Sequence, residues 1–125
     1  MKNLPLLGLI LPLICSYISV ATAQSHNVTW GMVGPNDTLL EREIVTKKYK
    51  FLRIIDEEFA YPRENFSNDY IITAVRVTDL YTDGDGGYAM LTSGGPGVKY
   101  VTINLKSQRT HGFNFIIEVF GREDK

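Results

Sequence analysis

Polar and apolar positions alternate through the second half of the chain. Tyr70–Thr78 (Tyr-Ile-Ile-Thr-Ala-Val-Arg-Val-Thr) is rich in β-branched residues, and a period of two puts Ile71, Thr73, Val75 and Val77 on one face. Val98–Lys106 repeats the pattern with Val101, Ile103 and Leu105, and Phe113–Phe120 with Phe113, Phe115, Ile117 and Val119. Gly87–Ser93 is a further strand. The segments between them are turn formers. Asp79–Gly86 holds Asp-Gly-Asp-Gly, Gly94-Gly95-Pro96-Gly97 reverses the chain, and Ser107–Gly112 is polar. Connections this short predict antiparallel neighbours in a meander.

The first half carries a weaker pattern. Val28–Gly31 reads as a short strand around Trp30. Over Arg42–Asp56 two periods compete: Val45, Tyr49, Leu52 and Ile55 recur at helical spacing, whereas Ile44, Val45, Thr46, Ile54 and Ile55 are β-branched. The β-branched content predicts two strands, about Glu41–Lys47 and Tyr49–Glu57, the second extending towards Phe59–Tyr61 until Pro62 interrupts it; a helix is the alternative. With no internal repeat and no low-complexity linker, the expected fold is all-β, a single antiparallel β-sandwich-like domain over residues 24–125.

Residues 1–23 follow different rules. A positively charged start (Met1, Lys2, Asn3) leads into the apolar run Leu4–Ile14, and Ala21-Thr22-Ala23 precedes Gln24. This is the layout of a secretory signal peptide with cleavage after Ala23. The run is well short of the ~20 residues of a spanning helix, and Pro5, Pro12, Ser16 and Ser19 interrupt it, so no membrane anchor is expected. Cleavage leaves 102 of the 125 residues and takes with it Cys15, the only cysteine, so the mature chain has no thiol to bridge. Loss of Lys2 moves the net charge from −1 to −2, a balance that offers no overall field for nucleic acid or an acidic membrane. Asn27-Val28-Thr29, Asn36-Asp37-Thr38 and Asn65-Phe66-Ser67 are N-glycosylation sequons that agree with export, and Asn27, Asn36 and Asn65 are the expected modification sites.

Candidate chemistry is sparse. Asp79, Asp83 and Asp85 bring a calcium loop to mind. However, aligning Gly86 with the sixth position of an EF-hand puts Tyr81 at the first and Thr92 at the twelfth, where carboxylates are needed, so a plain turn is expected. Gly94–Lys99 lacks the order of a phosphate loop and no helix follows it. His26 and His111 are the only histidines, too few for zinc without cysteine. Ser107 with His111 lacks an orienting carboxylate. No catalytic residue, metal or cofactor is expected, and the chain reads as a non-enzyme. Lys47, Lys48 and Lys50 around Tyr49 form the only basic cluster; lysines that protect a strand edge explain it, with heparin or nucleic-acid contact as the alternative. The aromatic residues are expected to pack between sheets, unless wide spacing opens a cavity for a small apolar ligand.

Several segments together resemble an insect family of small exported proteins named for the transcription activator multiprotein bridging factor 2. They are Ile72–Asp79, Tyr81–Tyr88, Thr92–Gly97, Val101–Arg109 and Gly112–Gly121, with Phe51-Leu52 and Tyr61-Pro62 upstream. The resemblance spans about Trp30–Gly121 and is densest from Ala74 onward. It implies one small leader-bearing arthropod domain, of a kind found in saliva, venom or haemolymph, and brings no catalytic residues. The family name implies a transcriptional co-activator, whereas the leader and sequons imply the extracellular space. The expected function is therefore extracellular binding of an unknown protein or small ligand through the loops Asp79–Gly86, Gly94–Gly97 and Ser107–Gly112. Nucleic acid is not an expected partner. The alternatives are nuclear co-activation and carriage of a small apolar ligand.

Overall fold

The computed structural model describes residues 26–124, so the expected leader lies outside the described residues. Seven strands follow in order: β1 (Val28–Gly31), β2 (Thr38–Lys47), β3 (Asp56–Tyr61), β4 (Tyr70–Asp79), β5 (Tyr88–Gly94), β6 (Val101–Lys106) and β7 (Phe113–Glu123). They form two sheets, β1-β4-β7-β2 and β3-β6-β5, in which every neighbouring pair is antiparallel. The described chain is all-β, as its alternation predicts.

The connectivity is not a meander. Only β5 and β6 are both consecutive and paired; the other short loops between β2 and β7 carry the chain from one sheet to the other. Stacked sheets stand about 10 Å apart, a gap that a loop of six to eight residues crosses as readily as it closes a hairpin. Loop length therefore does not distinguish the two.

The central strands of each sheet supply most of the core. Val101, Ile103 and Leu105 of β6 and Phe113, Phe115, Ile117 and Val119 of β7 are sealed from solvent, with Val75 and Val77 of β4 beside them and Phe59 of β3 nearly so. The Phe113 and Phe115 rings lie 5.2 Å apart in a tilted contact. The faces expected for β6 and β7 are the faces observed.

β4 departs from the expected alternation. Ile72 pairs with Gly121 and Ala74 with Phe120, which leaves Thr73 as the extra residue of a β-bulge. One extra residue reverses the parity upstream of it, so Ile72 rather than Ile71 and Thr73 enters the core. The Thr73 hydroxyl instead donates to Asp37 Oδ2 at 2.7 Å. Ile72 N–H donates to Val98 O and Ile72 O accepts from Gly97 N–H, each at 2.8 Å, so the bulge ties the β5–β6 loop to the opposite sheet. Val98 belongs to that loop and β6 begins only at Val101. Gly94 opens the loop with φ +68°, and a Cβ there would meet Tyr100 O at 2.2 Å.

A second correction concerns residues 48–55. They form neither the predicted strand from Tyr49 nor a helix, and β3 begins at Asp56. β2 and β3 lie in different sheets, so the segment joining them has to leave one ladder before entering the other.

A candidate binding surface at one end of the sandwich

Lys47 closes β2 opposite Phe113, the first residue of β7, so loops 48–55 and 107–112 emerge together at one end of the sandwich. Hydrogen bonds lace them into one unit. Ser107 N–H donates to Ile55 O at 2.8 Å, and Ile55 N–H donates to Ser107 Oγ at 2.7 Å. Thr110 N–H donates to Arg53 O at 2.9 Å, and Leu52 N–H donates to Thr110 Oγ1 at 3.0 Å. Arg109 Nη1 donates to Leu52 O at 2.9 Å. The Arg53 N–H to Lys50 O bond, 3.0 Å, closes a turn in which Leu52 takes φ +61°. A non-glycine residue adopts that conformation only where its surroundings hold it there.

The pinned turn has an apolar tip. Phe51 is 74% exposed, Leu52 59% and Tyr49 64%. Lys48, Lys50 and Arg53 flank them, all exposed, and a shallow concavity of about 420 Å³ runs from Lys47 to Glu57 beneath the turn. Elsewhere cations are mostly matched. Arg42 and Arg76 share Glu118, Lys47 meets Glu57, Arg63 meets Glu41 and Glu43, Lys99 meets Asp124, and Lys106 meets Asp56. Lys48, Lys50, Arg53 and Arg109 have no carboxylate partner among the described residues. Four cations without an ion-pair partner thus gather at this end, although the chain as a whole is slightly acidic.

The residues singled out from sequence are distributed differently. The Ser107 hydroxyl is buried and doubly used, accepting from Ile55 N–H and donating to Gln108 O at 2.9 Å, which leaves no proton for His111 to take. Gln108 Nε2 donates to Gly84 O at 2.8 Å and Gly86 O at 3.0 Å, bringing loop 80–87 to the same end. Loop 95–100 lies at the opposite end, beside the start of β4. Two of the three loops expected to act together are therefore neighbours and the third is not.

Asp79, Asp83 and Asp85 do not converge. Asp79 is 2% exposed and accepts from His26 N–H at 2.9 Å and Tyr81 N–H at 3.0 Å, whereas Asp83 accepts from Asp85 N–H in an exposed turn. His26 stacks on Tyr88 with centroids 4.2 Å apart, and its Nδ1 lies 3.0 Å from Gly87 O. This arrangement anchors the start of the described chain.

Asn27, Asn36 and Asn65 are all exposed. Asn36 and Asn65, in loops 32–37 and 62–69, lie at the end away from the 48–55 turn, and Asn27 precedes β1, the opposite edge of the sheet from β2. At the far end the Gly34 amide and the Thr73 hydroxyl lower the Asp37 pKa, with help from the Arg122 charge. Burial raises the Tyr61 phenol, and Glu41 adds to the effect. Sequence reasoning found the lysines but missed the turn that projects Phe51 and Leu52, and missed Arg53 and Arg109 as their companions. The available signal was the mixture of cations and large apolar residues in Lys-Lys-Tyr-Lys-Phe-Leu-Arg-Ile, which strand alternation also explains.

Comparison with known proteins bears on identity. Residues 30–121 match the model of the family described as transcription activator MBF2. The chain is 42% identical over 111 residues to a protein of Bombus ignitus described as a probable salivary secreted peptide, an alignment covering 89% of this chain and 81% of that protein. No solved structure matches. A family match that runs from within β1 to within β7, together with a relative aligned along most of both chains, shows that the chain belongs to the MBF2 family.

Proposed function

We propose that this chain is a secreted insect protein that acts by binding rather than by chemistry, and that its working surface is the 48–55/107–112 end. The observation that carries this reading is the rigid apolar turn flanked by cations without counter-charges. Exposed side chains of that size, held outward by backbone hydrogen bonds, favour recognition over core packing. Export is supported by the leader-like first 23 residues, by the exposure of Asn27, Asn36 and Asn65, and by the description of the Bombus ignitus relative. The same features weigh against the nuclear role in the family's description, since a chain processed in the secretory pathway does not meet chromatin.

Retention of the secreted protein on insect haemolymph proteins and on tissue of a feeding target tests the reading. Wild type is expected to be retained, and Lys48→Glu/Lys50→Glu/Arg53→Glu to be lost. Equal retention of the two, or no retention of wild type on any surface, contradicts it.

A further inference from the structure

We infer that the 48–55/107–112 end docks on an anionic lipid bilayer, the Lys50–Arg53 turn entering the headgroup layer with Lys48, Lys50, Arg53 and Arg109 against lipid phosphates. The inference rests on the reading of this end as the working surface, and adds the chemistry of what it meets.

Three observations converge on a bilayer. First, the turn cannot withdraw its apolar side chains into the protein. Both backbone polar groups of Leu52 are engaged, by Thr110 Oγ1 and Arg109 Nη1, and this fixes Phe51 and Leu52 at the apex. Second, the turn combines two chemistries side by side: exposed Phe51 and Leu52 at the apex, with exposed Tyr49 and the cations Lys50 and Arg53 next to them. A membrane interface offers partners for both, acyl chains beneath a belt suited to tyrosine and phosphates outside. A polyanion such as heparin would satisfy the four cations but offer nothing to Phe51 and Leu52. Third, the nearby carboxylates cancel the charge only in part: Glu57 is held by Lys47 and Asp56 by Lys106, and the two carboxylates of Asp83 and Asp85 in loop 80–87 stand against the four cations Lys48, Lys50, Arg53 and Arg109. The sequon asparagines Asn36 and Asn65 sit at the far end, so hydrated glycans there would leave the docking end clear; Asn27, bonded by Asp79 N–H, is at the docking end but on the β1 edge, across the sheet from β2.

Sedimentation of the mature glycoprotein with vesicles tests the inference, comparing phosphatidylcholine alone with phosphatidylcholine containing phosphatidylserine. Binding to the anionic vesicles is expected, weakened by salt because the cations are exposed. Lys48→Glu/Lys50→Glu should reduce it by about thirtyfold or more. Phe51→Ser/Leu52→Ser should reduce it by about tenfold or more. Both sets of side chains are exposed, so the thermal midpoint should not move, and that midpoint is measured alongside as a check on folding. Absence of binding to anionic vesicles, or equal binding to both vesicle types, overturns the inference. So does loss through the charge variant alone with full binding by Phe51→Ser/Leu52→Ser, which would identify a polyanion site, to be verified on immobilised heparin. If vesicle binding is absent but tissue retention still depends on the lysines, the lipid inference fails and the working surface stands.

Discussion

Asp79 places a buried carboxylate where it serves segments more than fifty residues apart. It accepts from the backbone of His26 and Tyr81, and its own amide donates to Asn27 Oδ1 at 2.7 Å. Gly86 is needed beside it, because a Cβ there would approach Asp79 Oδ2 to 2.3 Å. Asp79→Ala strands two amide donors in a poorly hydrated site and should lower unfolding free energy by about 2–4 kcal/mol in urea titration. Sequence alone shows Asp79 as the end of a strand and the start of a turn; its burial follows from partners distant in the chain. Asp37 makes a pH-dependent contribution. Its folded-state pKa is lowered, so its stabilisation is complete above the ordinary value of 3.8 and disappears as pH falls through the lower folded value. Asp37→Asn should therefore melt below wild type at neutral pH, and the gap should close as melts are repeated at progressively more acidic pH.

The strands and the loops differ in how far the sequence reveals them. In β6 and β7 an unbroken period of two, with large apolar residues at Val101, Ile103, Leu105, Phe113, Phe115, Ile117 and Val119, leaves one face to bury, and those faces are legible. In β4 the same reading breaks at Thr73, because a bulge adds a residue without changing the composition. In 48–55 strand-like composition persists although no ladder is present: Tyr49 and Phe51 among cations, followed by the β-branched Ile54 and Ile55, look like an edge strand, while the sheet change imposes a loop. That loop depends on its clasp to 107–112. Arg109→Ala/Thr110→Ala removes the bonds to Leu52 and should speed tryptic cleavage after Lys50 and Arg53. Urea unfolding of the whole should change by no more than about 2 kcal/mol, as expected for two partly exposed hydrogen bonds. Unchanged cleavage would mean that the turn is held by something else.

At the scale of the molecule, the sheet order sets which residues meet. β2 pairs with β7 so that Thr38 faces Gly121 and Lys47 faces Phe113, contacts that local pattern does not encode. That pairing brings Arg109 to Leu52 and gives the molecule one end where exposed apolar side chains sit among unpaired cations and another that carries two sequons beside exposed Met32 and Phe66. Net charge misses the division because it averages over both ends. The candidate surface was thus legible only as its lysines, and the leader-like first 23 residues and the sequons carry the proposed export. The functional reading depends on that compartment: a binding surface for extracellular partners is of use only to a chain that leaves the cell.

Expression of the full chain in insect cells, followed by mass spectrometry of the N-terminal peptide and of the intact protein before and after enzymatic deglycosylation, tests this directly. The expected product is recovered from the medium, begins at Gln24, and loses mass on deglycosylation with conversion of Asn27, Asn36 or Asn65 to aspartate. A sugar-free product beginning at Met1 and retained in the cytosol or nucleus contradicts the account.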